Sequence, residues 1–312
     1  MCTAPNEYMK SFRNKNSLLA VVLIGYNSLK FLASCIESIK KQTLFKKDLL
    51  DIIFIDNLSH DDSAKFVLEN YPFVRVYQNH FNFGYAGAAN QGIDLTSAPY
   101  VNIINPDIIL EKDFYEKIIK AISQNKAISS ATGKLLKYDF EANKKTNIID
   151  STGLLFHATT IITDRGQGEI DKKQYDKSHE VWGVSGACPI YRRDALLKIK
   201  NGDDFFDSRF FMYKEDTDLA WRFNKQGLRA IYVPSAVAYH GRGTGVETGF
   251  FNKRKALSRF QRIYSFRNHQ LMLKKNLTLK DFAKHPLAIT AFETASVINA
   301  IREGVFFKSF KI

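Results

Sequence analysis

Three carboxylates fall within four residues at Glu215-Asp216-Thr217-Asp218, in a segment that continues through Trp221-Arg222 to Gly227. Crowded carboxylates repel one another, so the cluster calls for solvation, capping or chemistry to hold it. Asp218 and Arg222 stand four apart and can pair along one helical face. Glu215 complements the positive end of the same helix. Asp216 has no such obvious structural partner. A second set of polar residues recurs earlier in the chain: Gly25-Tyr26-Asn27, Asp56-Asn57-Leu58-Ser59, Asn82-Phe83-Gly84 and Asn105-Pro106-Asp107. Each has a plain reading alone. Ser59 can cap the helix that follows it, and Asn-Pro-Asp can be an ordinary turn.

The elements around these residues make them a set. Leu18–Ile24, Leu50–Ile55, Val74–Tyr77 and Tyr100–Ile104 are short continuous apolar runs, the pattern of strands buried on both faces of a parallel sheet. Helices are expected at Ser28–Gln42, about Asp62–Asn70 and Gly84–Leu95, with Gly227 ending the later helix that starts near Glu215. Strand–helix alternation of this kind gives an α/β, doubly wound, mostly parallel sheet with helices on both faces. Ligands of such sheets sit outside the carboxyl ends of the strands, which is where all four polar endings fall.

Several classes are excluded. Gly84, Gly87 and Gly92 do not form G-x-G-x-x-G, and no G-x-x-x-x-G-K-[ST] occurs, which disfavours dinucleotide oxidoreductases and P-loop NTPases. Gly241-Arg242-Gly243-Thr244-Gly245 is a flexible loop with one cation that is able to approach a phosphate. Cys2, Cys35 and Cys188 are scattered, so neither a disulfide framework nor a zinc-thiolate site is expected. The 25 Phe and 14 Tyr argue against disorder. Residues 1–17 form a polar extension without a signal-peptide core. Leu287–Ile301 is interrupted by Glu293 and Asn299 and is too short to span a bilayer. A cytoplasmic protein, peripheral on the inner face of the plasma membrane, is expected.

Taken together, Gly25-Tyr26-Asn27, Asp56-Asn57-x-Ser59, Asn82-x-Gly84-Tyr85-Ala86, Asn105-Pro106-Asp107, Val184-Ser185-Gly186-Ala187 and Glu215-Asp216 resemble the family 2 glycosyltransferases, and their order resembles the rhamnosyltransferase-like branch. The resemblance spans about residues 18–245. It implies a GT-A fold over residues 18–250, with a nucleotide-binding half (18–110) and an acceptor-binding half (111–250). It also implies inverting transfer of a sugar, best L-rhamnose from dTDP-L-rhamnose, to a hydroxyl of a saccharide, commonly polyprenyl-linked, in surface polysaccharide synthesis. UDP-hexose or UDP-N-acetylhexosamine donors use the same constellation. A non-catalytic binder on this fold would need no base at Glu215-Asp216.

The roles carried over are these. Tyr26, Asn27, Asp56, Asn82, Gly84, Asn105 and Asp107 match nucleotide-binding positions, with Asp56 accepting the imide N–H of uracil or thymine. Asp107 matches the metal ligand of an Asp-x-Asp motif whose first place holds Asn105, and His240 matches a late histidine that completes the Mg²⁺ or Mn²⁺ or diphosphate site. Asp216 matches the general base. Trp182, Glu215, Trp221 and Arg222 are expected around the acceptor.

The charge is lopsided. Residues 251–312 hold 13 Lys+Arg and 3 Asp+Glu, whereas the first 250 hold 32 and 29. The near-neutral body argues against a nucleic-acid partner. In the tail, Ala256, Leu257, Phe260, Ile263 and Tyr264 share one helical face while Lys255, Arg259 and Arg262 lie opposite. Residues 251–312 are thus expected to be a basic amphipathic helical tail that meets an anionic membrane surface or packs on the domain.

Overall fold

The computed structural model describes residues 6–8, 16–242 and 257–310. Its first half alternates strand and helix as expected: β1 (Asn6–Tyr8), β2 (Leu19–Gly25), α1 (Leu29–Lys40), α2 (Thr43–Lys46), β3 (Leu50–Asp56), α3 (Ser63–Asn70), β4 (Arg75–Gln78), α4 (Gly84–Asp94) and β5 (Tyr100–Ile104). The second half contains β6 (Ile108–Leu110), α5 (Phe114–Ser123), β7 (Ile128–Asp139), β8 (Lys144–Ser151), β9 (Leu154–Phe156), β10 (Ile162–Asp164), β11 (His179–Val181), β12 (Ile190–Arg192), α6 (Arg193–Lys198), α7 (Glu215–Lys225) and β13 (Arg229–His240). Three helices follow: α8 (Arg259–Asn276), α9 (Leu279–Lys284) and α10 (Pro286–Arg302).

Strands β4, β3, β2 and β5 lie in that order and all run parallel. The chain moves outward from β2 through β3 to β4, then crosses back to β5 on the other side. The switch point therefore lies between β2 and β5, where a ligand crevice belongs. Beyond β5 the sheet is mixed: β12 joins antiparallel to both β5 and β7, and β13 runs parallel to β7. β1 adds an antiparallel edge to β4, so part of the expected N-terminal extension belongs to the sheet.

All seven residues of β2 and all seven of β3 are buried. Leu19, Val21 and Leu23 face the core shared with α1, α3 and α5, while Val22 and Ile24 face the one shared with α4, α6 and α7. Burial on both faces explains why these strands read as unbroken apolar runs, each such side chain contributing about 1.5–3 kcal/mol. Pairing is flush at the carboxyl edge: Gly25 stands opposite Asp56, and Asp56 opposite Gln78. β13 ends with His240 opposite Ile108, which brings a distant histidine beside the β5–β6 turn.

The tail is part of the domain. A capping box of Ser258 and Gln261 starts α8, and its Ile263, Tyr264, Phe266, Met272 and Leu273 are buried. Met272 and Leu273 pack with Phe210 and Trp221. Of the apolar face expected around residues 256–264, Ile263 and Tyr264 are buried on the protein itself while Phe260 stays exposed; Ala256 and Lys255 lie outside the described residues. Among the described residues no helix is long and apolar enough to cross a membrane.

Candidate active site

The loops after β2 and β3 are laced together. Asn27, at φ 49°, donates its backbone N–H to Ser59 Oγ at 2.9 Å, and its Oδ1 accepts from the His60 backbone N–H at 2.8 Å. Ser59 thus holds the neighbouring loop and does not cap α3, which starts four residues later. Asp61 takes over that end of the structure, accepting from Leu29 N–H at 3.0 Å and Ser63 Oγ. Tyr26 is exposed beside this crossing.

Asp56 is fully buried. Its Oδ2 accepts weakly from the Ser59 N–H and Gln78 Nε2, both at 3.3 Å, while Oδ1 has no donor among the described residues. Burial raises its pKa above the ordinary aspartate value. A buried acceptor without a donor is costly unless a ligand supplies one. Asn82 plays a different part: its Oδ1 accepts from Asn57 Nδ2 at 2.9 Å and from the Gly84 N–H at 2.8 Å, which shapes the loop.

Gly84 connects this half to the carboxylate cluster. It has φ +70°, and a Cβ there would stand 2.3 Å from the Phe211 carbonyl oxygen. That carbonyl accepts from the Ala86 N–H at 3.1 Å. The segment it belongs to is strained, with positive φ at Phe211, Tyr213 and Lys214 directly before Glu215. Strain of this kind persists only where surrounding contacts over-determine it. The structure provides those contacts, since Asn268 Nδ2 on α8 donates to the carbonyls of Phe210, Met212 and Tyr213 within 2.8 Å.

Asp216, at the start of α7, accepts the Gly186 N–H on Oδ2 at 2.8 Å and the Thr217 N–H on Oδ1 at 2.7 Å. A Cβ at position 186 would lie 3.1 Å from Asp216 Oδ2, so the glycine permits the close approach. Ala187, next along, accepts the Asn105 N–H at 3.0 Å. These bonds set Asp216 against the end of β5. Burial raises its pKa, outweighing the two backbone N–H groups. Glu215 is driven up further by burial and by Asp216, and its Oε2 has no donor among the described residues.

Asp107 and His240 meet just beyond the end of β5, with His240 Nε2 3.4 Å from Asp107 Oδ1. His240 Nδ1 is 2.8 Å from Asp150 Oδ2, and Arg242 Nε is 2.7 Å from Asp150 Oδ1. Arg242 also donates to Asp164 Oδ2 at 2.6 Å. Burial disfavours the imidazolium, but the Asp107 and Asp150 carboxylates outweigh it and push the His240 pKa up to about 9. Asp107 is half-buried, which disfavours its carboxylate, yet His240 brings its pKa below the ordinary value. Asp150 and Asp164 were not singled out in the sequence, and Arg242, expected to approach a phosphate, is engaged by these two carboxylates. An aspartate ending the apolar pair Ile148-Ile149 was the available signal for Asp150.

Residues 20–200, more than half of the chain, match the profile of Glycosyl transferase family 2. The chain belongs to this family. The glycosyltransferase is 26% identical over 245 residues to the N-acetylglucosaminyl-diphospho-decaprenol L-rhamnosyltransferase of Mycobacterium tuberculosis, covering 72% of this chain and 76% of that one. This likeness agrees with the rhamnosyltransferase-like branch. The uncharacterized glycosyltransferase YibD of Escherichia coli K12 is 26% identical over 93% of this chain and 81% of its own. Among solved structures, GalNAc-T7 with UDP, GalNAc and Mn²⁺ superposes with a TM-score of 0.63 at 14% identity, over 84% of this chain but 48% of GalNAc-T7. The mannosyltransferase PcManGT of Pyrobaculum calidifontis, with GDP-Man and Mn²⁺, gives 0.56 at 15% identity over 96% of this chain and 78% of that one. The fold is GT-A.

The side chains of two residues expected at the acceptor of this glycosyltransferase are engaged within the fold. Arg222 Nε bonds Asp218 Oδ2 at 2.9 Å, and its other nitrogens donate to the carbonyls of Ile199 (2.9 Å) and Phe205 (2.6 Å), so the guanidinium is consumed by structure. Trp221 is buried with Phe210, Met272 and Leu273. Trp182 is half-buried, and Phe156 from β9 stacks on it at 5.1 Å and 29°. The open aromatic of this corner is Phe156, 36% exposed, which a run of only three apolar residues gave no reason to select. Glu215 is buried beside Asp216 as described.

Among the described residues no three His, Cys, Asp or Glu side chains form a metal cage. Asp107 and His240 offer a hard divalent cation a carboxylate oxygen and, once the proton that Asp107 and Asp150 hold on the ring is displaced, an imidazole nitrogen. A carboxylate oxygen and an imidazole nitrogen lie side by side, and the far ring nitrogen is tied to Asp150 in the manner of ligating histidines.

Proposed function

We propose that this glycosyltransferase moves L-rhamnose from dTDP-L-rhamnose, with inversion, to a hydroxyl of a polyprenyl-diphosphate-linked saccharide on the cytoplasmic side of the membrane. The observation that carries the reaction is the Asp216 carboxylate. Gly186 fixes it beside the end of β5, and the buried oxygen of Asp56 without a donor lies along the same sheet edge. The rhamnosyl donor and the lipid-linked acceptor rest on the mycobacterial relative. A UDP-sugar is the alternative donor, since Staphylococcus aureus TarS, solved with UDP-GlcNAc, shares the fold.

In this reading Asp56 Oδ1 accepts the imide N–H of the pyrimidine, with Tyr26 and Asn27 flanking the ring. Asn82 and Gly84 shape the loop that approaches the ribose and diphosphate, and Asn105 begins the turn that presents Asp107. Asp107 and His240 would hold Mg²⁺ or Mn²⁺, which neutralises charge on the departing diphosphate. Asp216 takes the proton of the acceptor hydroxyl as its oxygen attacks the anomeric carbon and the bond to the diphosphate breaks. One base opposite the leaving group suffices for a single displacement, and inversion follows.

Two outcomes check the donor side. Asp56→Ala is expected to weaken nucleotide binding by about ten- to a hundredfold, the worth of a hydrogen bond to a charged group, measured by calorimetry with dTDP and UDP. Wild-type affinity would remove Asp56 from the base site. Asp107→Ala should abolish the gain in donor affinity that Mn²⁺ gives the wild type, and chelator should reduce the wild type to the same level. Equal affinity with and without the cation in both proteins would overturn the metal assignment. A nucleotide-sugar panel with a polyprenyl-diphosphate-saccharide acceptor identifies the sugar; turnover of UDP-sugars alone would displace rhamnose.

A further inference from the structure

With most of the apolar side chains of α8 buried on the domain and Phe260 left exposed, the most exposed large apolar side chains among the described residues concentrate in the last two helices and the turn after them. Leu279 is 89% exposed, Leu287 86%, Phe307 73% and Phe310 67%, and Ile298 and Ile301 are about half exposed. On α10 the exposed positions include Leu287, Ala291, Thr294, Ile298 and Ile301, spaced 4, 3, 4 and 3, which is one continuous stripe of a helix. The stripe carries no charge. Glu293 is the only acidic residue in α10, and it turns inward to His269 Nε2 and Gln270 Nε2, each at 2.7 Å. Cations bracket the stripe instead: Lys280 and Lys284 on α9, and Arg302 and Lys308 at the far end, are all exposed.

From this we infer that the outer face of α10, with Leu279, Phe307 and Phe310, lies in the surface of an anionic bilayer. The helix lies in the plane of the interface, its apolar stripe in the acyl boundary and the flanking cations among the headgroups. Charge selects this occupant over a second copy of the chain. Residues 251–312 carry 13 cations against 3 acids, so two such tails repel each other whereas an anionic surface attracts both. Threonine and alanine in the middle of the stripe also make poor knobs for helix pairing, yet they do not hinder shallow insertion. The cleft bounded by Phe156, Thr160, Leu277, Lys284, His285 and Ile289 joins α9 and α10 to the β9–β10 hairpin. The proposed membrane face therefore adjoins the half of the molecule that faces the acceptor. The inference needs neither the donor assignment nor the role of Asp216.

The test is co-sedimentation of the full chain with phosphatidylglycerol–phosphatidylcholine vesicles, and with phosphatidylcholine alone. Binding is expected on the anionic vesicles and should weaken with salt. The triple variant Leu287→Glu, Ile298→Glu, Ile301→Glu should lower the partition coefficient by at least about a hundredfold, with unchanged circular dichroism and nucleotide affinity. Lys280→Glu with Lys308→Glu, which leaves the stripe intact, should erase the preference for anionic lipid. Undiminished vesicle binding by the triple variant overturns the inference. So does a dimer in light scattering that the triple variant splits while neither protein sediments with vesicles.

Discussion

Replacing Asp216 with Asn is expected to cut transfer to the acceptor by about 10²–10⁴ while leaving donor affinity in place, because a positioned base contributes that much and an amide cannot take the proton. The carboxylate is held on both oxygens, by the Gly186 and Thr217 N–H groups, so the variant keeps one of these bonds and loses the other, because an amide NH₂ cannot accept. Glu215→Gln is the informative contrast. Burial and the neighbouring Asp216 raise the Glu215 pKa well above the ordinary range. The amide therefore resembles the protonated form of Glu215, and kcat should change much less. The pH profile separates the two further. Asp216 works only when ionised, and burial raises its pKa, so kcat should fall with decreasing pH at values above those of an ordinary aspartate. Steady-state transfer rates across the acid range, with nucleotide affinity measured in parallel, check both statements. Full activity in Asp216→Asn would move the base elsewhere.

The parts of this molecule that were legible in the sequence are those decided locally. β2, β3 and β5 are buried on both faces and so announce themselves as apolar runs, and Gly227, at φ +68°, closes α7 as a glycine just past a helix end does. The polar strand endings were readable because the topology of a doubly wound sheet sends them all to one edge. What stayed hidden depends on contacts between distant segments. Ser59 looked like a cap, yet it serves a loop 32 residues away. Arg222 looked like a ligand-facing cation, but carbonyls from the segment after α6 claim it. Asp150 and Asp164 acquire meaning only once β8 and β10 are brought against His240 and Arg242. The amphipathic start of the tail could not choose its partner in the sequence, since an apolar stripe fits a protein core and a membrane equally well.

The partner it has in the structure makes Asp218 the residue whose loss should cost the most stability. Asp218 is fully buried at the first turn of α7, where Arg222 Nε lies at 2.9 Å, Lys275 Nζ at 2.9 Å and Asn276 Nδ2 at 2.8 Å. Asp218 thus pairs with Arg222, shares Lys275 with Asp207, and ties the last turn of α8 to α7. Asp218→Ala leaves Arg222 without its counter-charge and Lys275 with Asp207 alone, a change of about 3–5 kcal/mol, or roughly 5–8 °C in the melting temperature of a chain of this size. The consequences should extend beyond stability. Asn268, two turns earlier on α8, holds the carbonyls of the strained segment that leads into Asp216, so a loosened α8 relaxes the geometry of the base. Residual activity of Asp218→Ala measured well below its melting temperature should therefore be reduced in kcat more than in donor KM. A variant that melts with the wild type would show that Lys275 and Arg222 find other partners. It would also show that α8 is held by Met272, Leu273 and Trp221 packing alone, in which case Met272→Ala becomes the substitution that detaches the helix.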